Sequence, residues 1–321
     1  MANRVKISTI GAVAPRIETG PTQKSVDAII EFWRGKFEAV LLDRPDLIVM
    51  PEVCDAYQGG ASNDIWTYYD IRGDQILGLV AATARRHCCC IAYSAVRKMG
   101  DGSWRNSTRL IDRTGQVAGI YNKNHPTELE LDDNILAGAE APLIECDFGR
   151  VGCAICFDLN FDRLRVQYVA KKPDLILFSS VYHGGLMQAY WAYSCRSHFV
   201  SSIGGSQHCP SHVISPVGRV LASTTNYRDF VTTTVNLDCR IVHYDFHVEQ
   251  LRALKQKYGP GVVIDDPGHL GSVLITSEMD DRTTDDLVQE FDLMLLDDYF
   301  ERALAARDKR TESVDPGKVN I

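Results

Sequence analysis

The stretch Phe148-Gly-Arg-Val-Gly-Cys-Ala-Ile-Cys156-Phe-Asp-Leu-Asn-Phe161 carries the strongest signal in this chain. Its apolar run predicts a short buried strand over residues 151–155 that ends at Cys156, and a helix over residues 162–171 follows. A cysteine between a strand end and a helix start meets unpaired backbone N–H groups and the positive end of a helix. Both features favour thiolate over thiol and can hold a developing oxyanion. Cys156 is therefore a candidate nucleophile, although an isolated cysteine is more often a small apolar core residue.

The helices and strands around this stretch alternate in a pattern typical of a layered α/β protein. Residues 25–42 have the apolar periodicity of an amphipathic helix, and an uninterrupted apolar run follows at residues 47–50. A second such run lies at residues 175–178, after the helix at 162–171. Uninterrupted apolar strands belong to sheets that are buried on both faces. We therefore expect a layered α/β fold with mixed strand order.

No linker-like or repetitive segment divides the chain. We expect one domain over residues 1–305, followed by a charged tail, residues 306–321, that is extended or lies at a subunit interface. Within the domain, residues 124–142 are predicted to form a polar loop, and residues 284–305 a single helix.

Composition and charge exclude several classes of protein. The chain has 321 residues and a net charge of -8 without any dense Lys/Arg patch, which argues against nucleic acid or an anionic membrane as partner. No apolar run is long enough to span a bilayer, and the N-terminus lacks the plan of a signal peptide. The ten cysteines, including Cys88-Cys89-Cys90, are therefore interpreted as thiols, with these three buried. We expect a cytoplasmic protein.

Three predicted strand ends deliver chemically reactive residues. The run at residues 47–50 leads to Glu52, the strand ending near Tyr121 leads to Lys123, and the strand ending at residue 155 leads to Cys156. Sites in layered α/β folds form outside the carboxyl ends of strands, so we expect these side chains to share one site. A thiol nucleophile needs a base, for which a carboxylate with a raised pKa is suited, and its tetrahedral intermediate needs a cation or N–H donor.

The residues around these positions resemble those of the nitrilase, or carbon-nitrogen hydrolase, superfamily. The resemblance covers most of the chain and is strongest in three motifs, Asp46-Leu-Ile-Val-Met-Pro-Glu52, Tyr121-Asn-Lys123-Asn-His-Pro126 and Gly149-Arg-Val-Gly-Cys-Ala-Ile-Cys156-Phe-Asp-Leu-Asn-Phe161. The stretches Phe178-Ser-Ser180, His183-Gly-Gly185 and Ser215-Pro-Val-Gly-Arg-Val-Leu-Ala-Ser223 also fit.

This resemblance implies a Glu-Lys-Cys triad, with Glu52 as general base, Lys123 as oxyanion stabiliser and Cys156 as nucleophile. It also implies a four-layer αββα sandwich that forms a homodimer or a larger homo-oligomer. Neither a metal nor an organic cofactor is implied. The implied reaction is hydrolysis of a C–N bond in a small amide through a cysteine thioester.

The resemblance further implies a second glutamate in the loop after the lysine. Glu128 and Glu130 both qualify, and Glu130 is preferred because it lies at the matching distance from Pro126-Thr127. Its implied role is to position Lys123 and to help manage the proton of the leaving group. The alternative is that both glutamates are ordinary acidic loop residues.

The substrate is less well defined by these motifs. Nitrile-cleaving relatives frequently have Trp-Glu after the cysteine, whereas Phe157-Asp158 here is closer to the amide-cleaving branches. Relatives that bind carboxylate-bearing substrates often have an arginine three or four positions after the cysteine. Leu159 and Asn160 stand there in this chain, which argues against such a substrate unless Arg163 or Arg196 takes over. The candidate pocket residues are Phe157, Tyr57, Tyr182 and His183.

Four alternatives remain. A papain-like Cys-His enzyme would pair Cys156 with His125 or His183 but would leave Glu52 and Lys123 without a role. The cluster His208-Cys209-Pro-Ser-His212 has the residue types of a metal site but no matching second pair, so loop packing is preferred. The same thioester chemistry could begin from a nitrile or an N-carbamoyl compound. A binding or scaffold subunit with the same fold is the non-enzymatic alternative.

Overall fold

The structure is a computed structural model that describes residues 1–18, 20–56, 64–205 and 209–310. The chain divides into two compact units, of which the first comprises residues 3–237 and the second comprises residues 238–321 together with Met1 and Ala2. The expectation of one domain over residues 1–305 stays a prediction.

The strands of the first unit form two six-stranded sheets. One sheet has the order β12-β1-β2-β3-β4-β5, and the other has the order β11-β10-β9-β8-β7-β6. Strands β1 to β3 are parallel to one another, as are β7 to β9, and the outer strands pair antiparallel. The strands are β1 (Arg4–Ile10), β2 (Leu47–Val49), β3 (Cys90–Lys98), β4 (Trp104–Ile111), β5 (Val117–Asn122), β6 (Ile144–Cys146), β7 (Gly149–Ile155), β8 (Leu175–Ser180), β9 (His198–Ile203), β10 (His212–Ile214), β11 (Val220–Ser223) and β12 (Phe230–Asn236).

Helices cover the outer faces of both sheets. The helices of this unit are α1 (Gln23–Leu41), α2 (Asp64–Arg72), α3 (Gln75–His87), α4 (Glu128–Asp132), α5 (Asp162–Lys171) and α6 (Met187–Cys195), with a 3-10 helix at Cys156–Asn160. Helix α1 forms because Val26, Ile29, Trp33, Phe37 and Val40 recur on one face, and this face packs with α3 against the first sheet. Helices α5 and α6 pack on the second sheet, and apolar side chains of both sheets meet between them. The predicted αββα sandwich is confirmed.

The second unit has its own apolar core. Its three antiparallel strands are β13 (Cys239–His243), β14 (Val262–Asp265) and β15 (Ser272–Ser277), in the order β13-β15-β14. Its helices are α7 (Val248–Tyr258), α8 (Thr284–Glu290) and α9 (Leu296–Asp308), with a 3-10 turn at Gly259–Gly261. The core includes Val242, Leu254 and Ile275, which are fully buried.

Three expectations about local structure are wrong. The single helix expected over residues 284–305 is two helices, because Asp292 adopts a left-handed conformation (φ 49°) and Leu295 bridges to Val242 on β13. The loop at 124–142 contains helix α4. Of the three consecutive cysteines, Cys88 is exposed, because it ends α3 in a left-handed conformation.

Several other expectations concern properties of the whole chain. All ten cysteines are free thiols. Helix α9 runs on to Asp308, and the rest of the expected tail, residues 311–321, lies outside the described residues. Across the described ranges, no helix has the length and apolar character that crossing a membrane requires.

Candidate active site

Three strand ends of the sandwich bring Glu52, Lys123 and Cys156 into one buried site. Glu52 follows β2, Lys123 follows β5 and Cys156 follows β7, and their exposed fractions are 5%, 2% and 8%. The Lys123 Nζ lies 2.9 Å from the Glu52 Oε1, and the Glu52 carboxylate is close enough to the Cys156 thiol to raise its pKa. A charged group buried to this degree must be paired, and Glu52 and Lys123 are paired with each other.

A second carboxylate shares the same lysine. The Lys123 Nζ donates to the Glu130 Oε2 at 2.8 Å. Helix α4 fixes this glutamate through a capping box, in which the Thr127 hydroxyl accepts from the Glu130 N–H and the Thr127 N–H donates to the Glu130 Oε2 at 2.8 Å. Glu128, the competing residue, lies two residues earlier in the same helix and is exposed.

Asn106 on β4 joins the two carboxylates, and the sequence analysis missed it. Its Nδ2 donates to the Glu52 Oε1 at 2.8 Å and to the Glu130 Oε1 at 2.9 Å. The backbone N–H of Val181 donates to the other oxygen of Glu52 at 3.2 Å. Asn106 is 2% exposed, and this burial of a polar side chain is evident only from the structure. We refer to Glu52, Asn106, Lys123, Glu130 and Cys156 as the inner cluster.

The charges of the inner cluster hold one another in the ionised state. Burial opposes the charged form of Lys123, but the nearby charges of Glu52, Cys156 and Glu130 outweigh it and raise the pKa of this lysine. Burial likewise opposes ionisation of Glu130, but the Lys123 charge and the Asn106 hydrogen bond lower the pKa of this carboxyl. Lys123 is therefore a cation and Glu130 an anion at neutral pH.

The expectation that the surroundings of Cys156 favour thiolate is wrong for the resting protein. Burial, and then the charge of Glu52, raise the pKa of the Cys156 thiol to about 12, against the opposing effects of Lys123 and Ser180. A helix dipole gives little help, because the 3-10 helix intervenes and α5 begins only at Asp162. The side chain is therefore a thiol at neutral pH, and it needs a base at the moment of attack.

The backbone is strained where the reactive side chains leave it. Cys156 has a φ of 49° and Val53, which directly follows Glu52, has a φ of 43°. Residues other than glycine rarely adopt this left-handed backbone conformation, and β-branched residues such as valine adopt it least often. Such strain is typical of sites where the fold holds a side chain in a specific orientation.

Asp158 ties the segment after Lys123 to the turn after Cys156. This fully buried carboxylate accepts from the Tyr121 hydroxyl at 2.6 Å and from the Ile155 N–H at 3.0 Å. Its other oxygen accepts from the Asn124 N–H at 3.1 Å and the His125 N–H at 2.8 Å. One side chain therefore holds both strand ends in register.

The two histidines of the papain-like alternative have other partners. The His125 Nδ1 lies 2.9 Å from Asp158, and its ring stacks on Phe161 with a centroid distance of 4.0 Å. The His183 Nδ1 accepts from the Gly185 N–H at 3.1 Å, and its ring edge contacts His212 at 5.0 Å. Burial lowers the pKa of His183, which favours its neutral form.

Phe157 and Tyr182, two of the predicted pocket residues, are partly exposed near the thiol. Phe157 is 38% exposed and packs edge to face against Phe161. The Tyr182 hydroxyl accepts from the Asn160 Nδ2 at 3.1 Å. Burial, followed by the charge of Cys156, raises the pKa of Tyr182 to about 12.

The remaining predicted site residues lie elsewhere or outside the described residues. Arg163 is exposed on α5. Arg196 ends α6, where its guanidinium donates to the Tyr193 carbonyl and stacks over the Tyr193 ring. Tyr57 lies outside the described residues, as does His208 of the alternative metal cluster.

The sequence model of the carbon-nitrogen hydrolase family matches residues 22–240, which include the whole inner cluster. The chain belongs to the carbon-nitrogen hydrolase family. The chain is 22% identical over 219 residues to the chloroplastic omega-amidase of Arabidopsis thaliana, across 59% of this chain and 58% of that protein. The match spans less than two thirds of the length of each of the first three curated relatives.

Solved structures share the fold of this chain at low sequence identity. Saccharomyces cerevisiae Nit3, a member of branch 10 of the nitrilase superfamily, matches 80% of this chain and 95% of its own with a TM-score of 0.59 and 12% identity. A mutant of the amidase from Nesterenkonia sp. AN1 matches 73% of this chain and 90% of its own with a TM-score of 0.58 and 16% identity. That structure shows covalent addition of the acetamide moiety of fluoroacetamide at its active site cysteine.

Proposed function

We propose that this hydrolase cleaves the C–N bond of a small amide through a thioester on Cys156. The observation that carries the proposal is the buried Glu52 carboxylate, which accepts from the Lys123 ammonium at 2.9 Å and whose charge raises the pKa of the nearby Cys156 thiol. A base and a cation are thereby held on either side of a nucleophile that is protonated at rest. The covalent adduct on the active site cysteine of the Nesterenkonia amidase supports the same chemistry.

The first half of the reaction forms the thioester. Glu52 takes the proton from the Cys156 sulfur as the sulfur attacks the amide carbon, so the C–S bond forms while the S–H bond breaks. The carbonyl oxygen becomes an oxyanion, which Lys123 and the Phe157 N–H stabilise. Glu52 then gives the proton to the amide nitrogen, the C–N bond breaks, and ammonia or an amine leaves.

The second half releases the acid. Glu52 takes a proton from water, whose oxygen attacks the thioester carbon, and the C–S bond breaks as Glu52 returns the proton to sulfur. Glu130 holds Lys123 in place for both oxyanions through its 2.8 Å contact and helps to manage the proton of the leaving group. Glu52, which is paired with Lys123, therefore serves as base and acid in turn.

The test is ammonia release by the purified protein over a panel of aliphatic and aromatic amides, N-carbamoyl compounds and nitriles. Hydroxylamine added to the reaction should intercept the thioester and yield a hydroxamate. We expect release from amides, its loss in Cys156→Ala, and its retention in Cys88→Ala, a matched change at an exposed thiol. Activity in Cys156→Ala would refute the mechanism.

Other outcomes of the same panel discriminate among the alternatives. Ammonia release from nitriles or N-carbamoyl compounds alone would show that these compounds, and not amides, are the substrates. Cys156 would still be the nucleophile. If no compound releases ammonia or forms a hydroxamate, a binding or scaffold role for the protein would be favoured.

We also propose that the protein acts as a cytoplasmic homodimer or larger homo-oligomer, on the basis of the resemblance to the superfamily. Light scattering behind a sizing column measures the assembly. A mass of one chain across the micromolar concentration range would refute it.

A further inference from the structure

Three arginines lie side by side on the outer face of the first sheet, opposite the inner cluster. Arg97 on β3 is the direct cross-strand partner of Arg105 on β4, and Arg109 lies on the same face of β4 opposite Tyr93. Like charges directly opposite each other on two strands repel and destabilise the pair. We refer to Arg97, Arg105 and Arg109 as the arginine face.

Arg97 has hydrogen bonds but no acidic partner among the described residues. Its guanidinium donates only to neutral oxygens, the Ser107 Oγ at 3.3 Å and the Asn122 Oδ1 at 3.4 Å. Burial, and then the charges of Arg109 and Arg105, lower the pKa of Arg97. The neighbouring cation Lys98, by contrast, pairs with Asp70 at 2.8 Å.

The other two arginines are also poorly neutralised. Arg105 donates to the Ser103 Oγ at 2.9 Å and to the Trp104 carbonyl at 2.8 Å, so it reaches Asp101 only through Ser103. Arg109 lies 3.7 Å from the Asp74 carboxylate, whose side chain is 83% exposed. A solvated acid at this distance gives little compensation for a buried guanidinium.

Arg109 also presents a buried donor that has no partner. The residue is 6% exposed, its guanidinium stacks over the Tyr93 ring at 4.8 Å, and its Nε has no hydrogen-bond acceptor within the described part of the chain. A buried donor attached to a charge costs free energy unless an acceptor reaches it. An oxygen from a bound anion would supply that acceptor.

A cavity of about 460 Å³ gives such an anion access to the arginine face. Arg97 and Arg109 line it, together with the rings of Tyr69 and Trp104 and the side chain of Leu77. The two rings lie 5.7 Å apart and form one apolar wall. The volume is ample for an oxyanion that carries a ring or a short chain.

We propose that this cavity is a binding site for a small molecule with a phosphate or carboxylate group, held by Arg97 and Arg109. Guanidinium groups bind these oxyanions through paired N–H donors, and the apolar part of the ligand would pack against Tyr69 and Trp104. A chain of net charge -8 repels anions overall, and Asp70 and Asp74 also line this cavity, so the incompletely paired Arg97 and Arg109 mark the part of it that suits an anion. This inference is independent of the proposed amidase activity.

Thermal unfolding and isothermal titration calorimetry at constant ionic strength test the site. The probes are inorganic phosphate, phenyl phosphate and benzoate, with sodium chloride to hold the ionic strength. We expect saturable stabilisation by at least one oxyanion and tighter binding of phenyl phosphate than of inorganic phosphate. The phosphate and benzoate arms distinguish which anionic group the arginines prefer.

Two matched variants keep the test specific. Arg97→Gln should weaken binding of the preferred probe by about tenfold or more, and without ligand it should be at least as stable as the wild type because repulsion within the arginine face falls. Lys98→Gln removes a paired cation at the same cavity and should bind as the wild type does. Equal losses in both variants, or stabilisation by chloride as strong as by the oxyanions, would overturn the proposal.

Discussion

Charged side chains on the two faces of the first sheet differ in how completely they are paired. On the inner face, Asn106 and Lys123 connect two carboxylates, so every charge of the inner cluster has a partner within 2.9 Å. On the outer face, Arg109 is buried and Arg97 is half-buried, yet their neighbours are neutral oxygens or a solvated acid. The two sets come closest in sequence on β4, where Asn106 directly follows Arg105 and faces the opposite side of the sheet.

This difference shows that burial alone does not determine what a charged group does. A complete network holds its members in fixed protonation states and positions, as catalysis requires. An incomplete network keeps donors available for a ligand. Changing single charges on each face therefore tests whether the networks differ as described.

The largest effect is expected from removing the shared cation, Lys123→Met. This change leaves two buried carboxylates without compensation, and we expect a loss of about 3–5 kcal/mol in the free energy of unfolding. Amide turnover should fall by about 10³-fold or more, because the oxyanion loses its cation. Urea unfolding and ammonia release measure the two effects.

Lys98→Met is the matched control for that change. Its ion pair with Asp70 is about half exposed, so the expected loss is below about 1 kcal/mol, with turnover retained. Equal destabilisation by the two variants would contradict the distinction between paired inner charges and surface pairs.

Glu52→Gln should separate turnover from thiol reactivity. Hydrolysis should fall by about 10³-fold, since the base is lost. Alkylation of Cys156 by iodoacetamide at pH 8 should become faster, because removing the Glu52 charge lowers the thiol pKa from about 12 and raises the thiolate fraction. In the wild type, the alkylation rate should keep rising with pH up to that value.

Mass spectrometry of the alkylated peptide follows this reaction, and Glu128→Gln at an exposed glutamate of α4 is the control. It should change neither quantity. Slower alkylation in Glu52→Gln would indicate that the carboxylate does not hold the thiol in its protonated form.

The same substitution, Asn to Asp, should change the free energy of unfolding in opposite directions on the two faces of the sheet. Asn106→Asp adds a third carboxylate to the inner cluster and should destabilise the protein by about 1–3 kcal/mol at pH 8. Asn122→Asp places a carboxylate beside Arg97 and should stabilise the protein against unfolding by about 0.5–1 kcal/mol. Chemical unfolding of both variants measures the difference.

The pH dependence of Asn106→Asp follows from its neighbours. The other carboxylates raise the pKa of the new carboxyl in the folded protein above its unfolded value, so the folded state binds the extra proton more tightly. The penalty relative to wild type is therefore small at acidic pH and grows as the pH rises through the folded pKa. A penalty that is constant from pH 5 to pH 8 would contradict this account.

The smallest effect is expected where an arginine is placed near the inner cluster. Asn160→Arg puts a cation beside Tyr182, at an exposed position. The rate of Cys156 alkylation by iodoacetate relative to iodoacetamide should rise by about tenfold, because the added cation attracts the anionic reagent.

The exposed Cys88 provides an internal reference for the two reagents, and Asn160→Gln is the neutral control. An unchanged ratio in Asn160→Arg would show that this position does not influence access to the thiol.

The elements that the sequence predicted well are those whose signal is local. The helix at residues 162–171 and the strand leading to Cys156 follow from apolar periodicity over a few residues. The convergence of Glu52, Lys123 and Cys156 followed from a general rule about strand ends. Helix α4 was missed although Thr127-x-x-Glu130 has the pattern of a capping box, because the surrounding residues are polar and the helix is short.

Sequence alone therefore determined the family, the layered fold and the three strand ends of the site. Only the tertiary structure decided that Asn106 joins two carboxylates and that Cys156 stays protonated at rest. It also decided that Arg97 lies opposite Arg105, with no acidic partner for Arg97 among the described residues. These properties depend on strand register and on depth of burial, which are set by contacts between residues far apart in the chain. A local pattern shows which face of a strand a residue occupies, but not which charge it will meet there.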